Sequence, residues 1–180
     1  MHRQPLKILL NNYRRDHPKE DVTEHFFRFV DTHTDCFNRS LEQGHVTASA
    51  WIVDKDAKSA LLVHHKKLGL WLQPGGHCDG DPDVVRVAKK EVQEETGLDD
   101  FEIVADRILD LDIHKIPIWK QTPAHYHYDV RFLIYADSQQ TLTVSHESND
   151  VRWFDLDELP AVSADISVVR LAKKSLKTIA

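Results

Sequence analysis

The chain has almost no cysteine. Its 180 residues include only Cys36 and Cys78, too few for a disulfide framework, so the composition reads as that of a reducing compartment. Positive charge is also short: 23 Lys and Arg face 29 Asp and Glu, for a formal net charge of −6. That balance lacks the basic footprint of a nucleic-acid binder. Long apolar runs are missing as well. The N-terminus holds only Ile8-Leu9-Leu10, well short of the roughly 7–15 apolar residues of a signal-peptide core. Nothing later approaches the roughly 18–20 apolar residues of a membrane span. The expectation is a soluble, cytoplasmic chain with no membrane contact and no disulfide partner. No internal repeat or low-complexity segment is visible, and the length suits one domain with a small appendage.

The first 44 residues read as helical. Leu6, Leu9, Leu10 and Tyr13 recur at helical spacing, as do Val22, Phe26, Phe29 and Val30, with Pro18 separating the two runs. After Gly44 the texture changes to short, β-rich runs. Residues 46–53 and 59–64 flank the polar stretch DKDAK and predict a hairpin. Residues 70–73 form a short strand leading into Pro74-Gly75-Gly76. A helix is expected from Pro82 to Thr96, with Asp81 as its cap, Pro82 in its first turn and Gly97 past its end. Residues 101–118 hold one strand or two, 126–135 an alternating strand and 151–154 a short one. Residues 166–176 close the chain as a helix with Val169, Leu171 and Ala172 inward. This order predicts an α/β fold with a mixed sheet and helices on its faces.

Glycine is sparse but clustered. Five of the six lie between residues 69 and 97: Gly69, Gly75, Gly76, Gly80 and Gly97. Such a concentration marks a loop whose backbone must turn sharply or approach something closely. The helix that follows carries Glu91, Glu94 and Glu95 within a sector of roughly 100°, beside a packing stripe of Val85, Ala88 and Val92. Like charges three and four residues apart destabilise a helix by a few tenths of a kcal/mol each. A divalent cation offsets that repulsion, and an all-oxygen donor set selects Mg²⁺ or Mn²⁺ over zinc. The other reading of the three carboxylates is a solvated acidic face.

The stretch Gly76–Leu98 resembles the Nudix box. That signature runs glycine, five residues, glutamate, seven residues, Arg-Glu, an aliphatic, any residue, Glu-Glu, any residue, glycine, an aliphatic. Gly76, Glu91, Val92, Glu94, Glu95, Gly97 and Leu98 match in register. Two positions depart: Pro82 stands where a glutamate is usual, and Lys90 where arginine is usual, keeping the charge without the fork. The resemblance extends to the strand ending in Trp71-Leu72-Gln73-Pro74 and to Trp153-Phe154 with the acidic turn after it. It implies a Nudix-like α/β/α sandwich with a mixed sheet over residues 45–180, preceded by a helical N-terminal extension, residues 1–44, packed on the core. It also implies hydrolysis of a nucleoside diphosphate linked to another moiety, with Mg²⁺ or Mn²⁺ as cofactor. Glu91 and Glu95 would be primary metal ligands, Glu94 a further ligand or water orienter, and the Gly75 carbonyl a backbone ligand. Glu147, six residues before Trp153, would be the catalytic base or another ligand; as an ordinary loop glutamate it would do neither.

Other residues are read from their spacing. On the 126–135 strand His125, His127, Asp129 and Arg131 share one face, opposite Tyr126, Tyr128, Val130 and Phe132. As a cleft wall this face would bind substrate, with Arg131 forking a phosphate and the histidines donating hydrogen bonds. The other reading is a solvent-facing side. His125-x-His127 also has transition-metal spacing, but no further ligand pattern accompanies it. His77, inside the glycine loop, is read as a substrate contact or a surface histidine. The small-molecule partner is a nucleoside diphosphate derivative. Residues 1–44 either cap the core, gate the cleft or form a homodimer contact. The competing function is a nucleotide-sensing or protein-binding Nudix-fold module with weak or no catalysis, motivated by Pro82 and Lys90.

Overall fold

The computed structural model describes residues 2–104, 106–118, 120–163 and 165–179. Two helices open the chain, α1 (Gln4–Asp16) and α2 (Val22–Thr32). Strands β1 (Gly44–Asp54), β2 (Ser59–His65), β3 (Leu70–Leu72) and β4 (Gly75–His77) follow, then α3 (Val84–Thr96). Next come β5 (Phe101–Ile103), β6 (Asp110–Ile116), β7 (His125–Ala136) and β8 (Ser148–Asp155), and the chain ends with α4 (Leu159–Val162) and α5 (Ile166–Ile179). The segment read as one strand or two is two, β5 and β6.

The strands form one mixed sheet of order β3-β2-β1-β7-β5, with β4 also on β1, β6 on β7 and β8 on β2. β1 and β7 pair in parallel from Gly44–Tyr126 to Asp54–Ala136; the other pairings are antiparallel. β1 divides its second edge. Ile52 and Val53 pair with β2, whereas Thr47, Ala48 and Ser49 pair with β4. β3 pairs with β2 and β4 with β1, so between Leu72 and Gly75 the chain passes from one strand's edge to the next.

Alternation along β1 separates the two layers. Val46 and Ala48 join a cluster with Leu6, Leu10, Phe26, Phe29 and Val30 of α1 and α2 and with Val84, Val87 and Ala88 of α3. Ala50 and Ile52 continue that face against Val92 and Leu98. On the other face Trp51 and Val53 pack on Leu159, Val168, Leu171 and Ala172 of α4 and α5. The result is the expected α/β/α sandwich. Among the described residues no helix is long and apolar enough to cross a membrane. Cys36 and Cys78 are free and buried.

Three local expectations are corrected. The cap of α3 is Asp83, whose side chain accepts from the Arg86 N–H at 3.0 Å. Asp81 accepts instead from the Asp83 N–H and the Arg86 guanidinium, so Pro82 precedes the helix. In α3 the buried stripe is Val84, Val87, Ala88 and Val92, with Val85 half-buried. In α5 the inward residue is Val168, not Val169, because Leu171, Ala172 and Ser175 lie three, four and seven positions after it on one helical face. Ser175 is buried there and accepts the Trp51 indole N–H at 3.0 Å. Gly97 ends α3 as expected, at φ +75°.

α1 and α2 are part of the packing, and this is open to measurement. Leu10 is fully buried whereas Ile8, two residues earlier on α1, is 54% exposed. Leu10→Ala should cost about 2–5 kcal/mol of stability, and Ile8→Ala no more than about 0.5 kcal/mol, in equilibrium denaturation. Equal effects would mean that α1 does not contribute to the core.

Candidate active site

The site begins where β4 enters the sheet. Gly75 lies directly opposite Ser49 of β1, and a side chain on it would collide with the Ser49 side chain and backbone. Gly76 faces the other way, toward α3. A Cβ there would come within 2.6 Å of the Glu91 carboxylate. Each glycine is therefore required by a different neighbour, one by the sheet and one by the carboxylate.

Glu91 and Glu95 are one helical turn apart on the side of α3 that meets β4. Glu95 is buried and accepts the Gly75 N–H at 2.8 Å. Burial pushes both carboxyls up to about 7; the fields of Glu94 and Glu147 add to it at both, and that of Glu91 at Glu95, while Lys90 opposes it at Glu91. Glu94 stands at the rim, exposed, 3.3 Å from Lys90 across one turn. The flanking Asp81 and Asp83 do not replace the carboxylate missing at Pro82, since both are engaged in the α3 cap and with Arg86. The donor set is oxygen only, acidic and crowded, which fits Mg²⁺ or Mn²⁺.

The loop before β8 reaches this region. Its backbone is pinned by the Lys66 N–H on the Glu147 carbonyl (3.0 Å) and the Lys66 ammonium on the His146 carbonyl (2.7 Å). The Glu147 carboxylate stays largely exposed. Its charge acts on Glu91, Glu95, His65 and His77. Arg39, in the link between α2 and β1, forks onto Asp79 of the glycine loop and feels Glu147 and Glu91. Neither Arg39 nor Asp79 stood out in the sequence. Arg39 lies 40 residues from its partner, and only the folding of the link against the loop unites them.

Arg131 departs from its expected role. Its guanidinium is about 3% exposed and lies 2.8 Å from Asp129, 3.3 Å from Asp110 and 3.2 Å from Asp112. Those three carboxylates use the fork that a phosphate would need. Asp129 in turn accepts from Thr47 and Ser49 of β1 at 2.9 and 2.7 Å. The polar face of β7 is thus neither solvated nor open cleft along its length: at Asp129 and Arg131 it is a buried ion-pair network.

Beyond Asp129 the same face carries histidines. His45 of β1 sits in register with His127 of β7, and His77 of β4 lies opposite Thr47. The nitrogens of His45, His77 and His127 lie within 4.8 Å of one another. Burial lowers all three pKa values, His45 to about 4 and His127 to about 2, so the rings are neutral near pH 7. His125 stacks on His45 while its Nδ1 bonds the Pro123 carbonyl at 2.9 Å. His45 escaped the sequence reading because nothing in one dimension links it to His127.

Comparison with known proteins follows from this geometry. The family model "NUDIX domain" matches residues 43–172. The Bacillus subtilis protein YjhB, provisionally named an ADP-ribose pyrophosphatase, is 31% identical over 103 residues. That match covers 57% of this chain and 47% of YjhB, so the chain spans about half the length of the curated relative it matches. Among solved structures, the NUDIX domain of Shewanella oneidensis NrtR complexed with ADP ribose superposes with a TM-score of 0.60 at 16% identity, covering 86% of this chain and 98% of that one. A C. elegans Ap4A hydrolase binary complex gives 0.59 at 19%, covering 74% and 96%. A NUDIX-family hydrolase from Clostridium perfringens gives 0.57 at 22%, covering 76% and 98%. At these identities the structures speak to the fold.

The raised carboxyls predict a pH dependence. Folded-state values of about 7 against the ordinary 4.5 mean that the native state still holds protons the unfolded chain has released. The associated stability is full below about 4.5 and is lost as pH rises through about 7. In EDTA, Glu91→Gln/Glu95→Gln should therefore gain on the wild type by several kcal/mol, up to about 3 per carboxyl, between roughly pH 4.5 and pH 7.5. A constant difference across that range, by urea denaturation, would contradict the assignment.

Proposed function

The chain belongs to the NUDIX family, and from that premise we propose that it hydrolyses a diphosphate linkage in a nucleoside diphosphate joined to another moiety, with Mg²⁺ or Mn²⁺ as cofactor. The observation that carries this reading is the pair Glu91 and Glu95, crowded against Gly75-Gly76, and among the described residues neither carboxylate has a salt-bridge partner. Glu91, Glu95 and the Gly75 carbonyl would hold the ion, with Glu94 as a further ligand or water orienter. Bound there, such an ion neutralises diphosphate charge and lowers the pKa of water. The relatives named for ADP-ribose and Ap4A support a nucleotide derivative as the substrate class.

The chain's own residues supply the rest. Glu147, exposed on a pinned loop with the exposed His146 ring beside its carboxylate at 3.6 Å, takes the proton from the water that attacks phosphorus in line. The P–O bond of the diphosphate breaks on the opposite side, and one product is a monophosphate. Arg39 and Asp79 brace the glycine loop. Of the four residues expected to touch substrate, His125 is retained, because Pro123 fixes one ring nitrogen and leaves the other for a hydrogen bond. Residues 1–44 are taken as a cap. Leu6, Leu10, Phe26, Phe29 and Val30 are buried with the sheet, and Arg14 is engaged by Glu24, Asn11 and the Phe27 ring.

Turnover of ADP-ribose, NADH, nucleotide-sugars and dinucleoside polyphosphates should require Mg²⁺ or Mn²⁺; full turnover in EDTA would sink the metal role. Glu95→Gln should lower kcat at least about 100-fold, roughly 2.7 kcal/mol of transition-state stabilisation. Tight nucleotide binding without monophosphate release would instead identify a sensing module. Replacing Arg14, Arg15 and Arg28 together by alanine should leave KM and substrate preference unchanged; a shift in either would make the segment a gate.

A further inference from the structure

We infer that His45, His77 and His127 form a transition-metal site of the kind that takes Zn²⁺, chemically distinct from the carboxylate pair. Three strands converge to build it. The parallel register of β1 and β7 sets His45 against His127, and the antiparallel register of β1 and β4 places His77 two positions along the same face. The ring centroids form a nearly equilateral triangle, 5.0 Å for His45–His77, 4.9 Å for His45–His127 and 5.1 Å for His77–His127. Tetrahedral zinc with Zn–N bonds of roughly 2.0–2.1 Å would space three imidazole centroids about 5.2 Å apart. His125 stands at similar spacings, 5.0 Å from His45 and 5.2 Å from His127; what singles out the three is that one nitrogen from each of His45, His77 and His127 lies within 4.8 Å of the other two.

The hydrogen-bonding state of the rings points the same way. His45 is 2% exposed, and neither of its ring nitrogens has a partner; the Nε2 of His127 is likewise buried and unpartnered. Buried polar atoms are nearly always satisfied, and a cation at the centre would take one lone pair from each ring. Of the neighbouring histidines, His125 turns its Nδ1 to the Pro123 carbonyl and His114 its Nδ1 to Asp112 at 2.8 Å, and neither joins the group of three. Neutral imidazoles suit zinc and its neighbours in the first transition row, not Mg²⁺. Among the described residues no cysteine, carboxylate or further histidine joins the three, so a fourth position is left for water or a substrate oxygen, the pattern of zinc sites that act on ligands. His77 directly follows Gly75-Gly76 on β4.

The test is metal binding by the full chain, independent of turnover. Chelator-stripped protein is titrated with Co²⁺ and then Zn²⁺. One equivalent of Co²⁺ should produce the intense visible absorption of a tetrahedral site, and one equivalent of Zn²⁺ should remove it. His77→Ala and His127→Gln should each weaken binding at least about 100-fold, with native circular dichroism. Glu91→Gln/Glu95→Gln should keep the absorption, and X-ray absorption of the zinc-loaded wild type should show three imidazoles. No tetrahedral absorption in the wild type, or absorption lost in the carboxylate variant and kept in His77→Ala, would overturn the assignment.

Discussion

The parallel pairing of β1 with β7 is the constraint on which the rest depends. It runs from Gly44–Tyr126 to Asp54–Ala136 and joins segments about 80 residues apart in the chain. Every polar group of interest on that face takes its neighbours from this register: Thr47 and Ser49 beside Asp129, and His45 beside His127. A one-residue slip would turn Val46, Ala48 and Ala50 toward the ion pairs and bury His45 and Thr47 against α1 and α2. β1 then offers its other edge to β4, so the same strand that orders the histidines also seats Gly75 and Gly76.

Charge is handled in two opposite ways on the two sides of this sheet. Around Arg131 it is compensated. Asp110, Asp112 and Asp129 surround the guanidinium, and Arg170 and Lys174 of α5 add two more cations. Lys174 also reaches Glu20 and the Tyr13 hydroxyl at 2.8 and 2.6 Å, tying α5, β6 and the α1–α2 turn together. Buried charges are tolerated when paired in this manner, and removing one member leaves the others exposed to the full desolvation cost. Around Glu91 and Glu95 compensation is partial. Lys90 pairs with Glu94 and reaches Glu91 only through its field, Arg39 pairs with Asp79, and both inner carboxyls stay raised. Excess negative charge in a partly buried pocket is what a divalent cation relieves.

α1 and α2 extend the helical layer beside α3. Phe29 stacks on Tyr128 at 3.8 Å between ring centroids, and Phe26 meets the same ring edge-on. Tyr128 belongs to the β7 face opposite the histidines, so the N-terminal helices stabilise the strand that carries His127 without touching the rings themselves.

Much of this was legible from the chain alone, wherever the physics is local. Helical spacing marked α1 and α2, alternation marked β7, and the stop at Gly97 followed from the left-handed backbone it adopts. The acidic helix was readable from its spacing and the double glycine from its clustering; that Gly76 and Glu91 belong to one site came from the resemblance to the Nudix box. Details set by a one-residue choice were not. Asp83 rather than Asp81 caps α3 because its side chain meets the Arg86 N–H, and Val168 rather than Val169 turns inward because Leu171, Ala172 and Ser175 share its face. Two matters were decided only by the tertiary structure. Arg131 could look like a phosphate fork until β6 brought Asp110 and Asp112 alongside it, and His45 meant nothing until β7 and β4 set His127 and His77 around it. Both depend on which strands become neighbours, and strand pairing is fixed by burial over the whole sheet, not by the residues next in sequence.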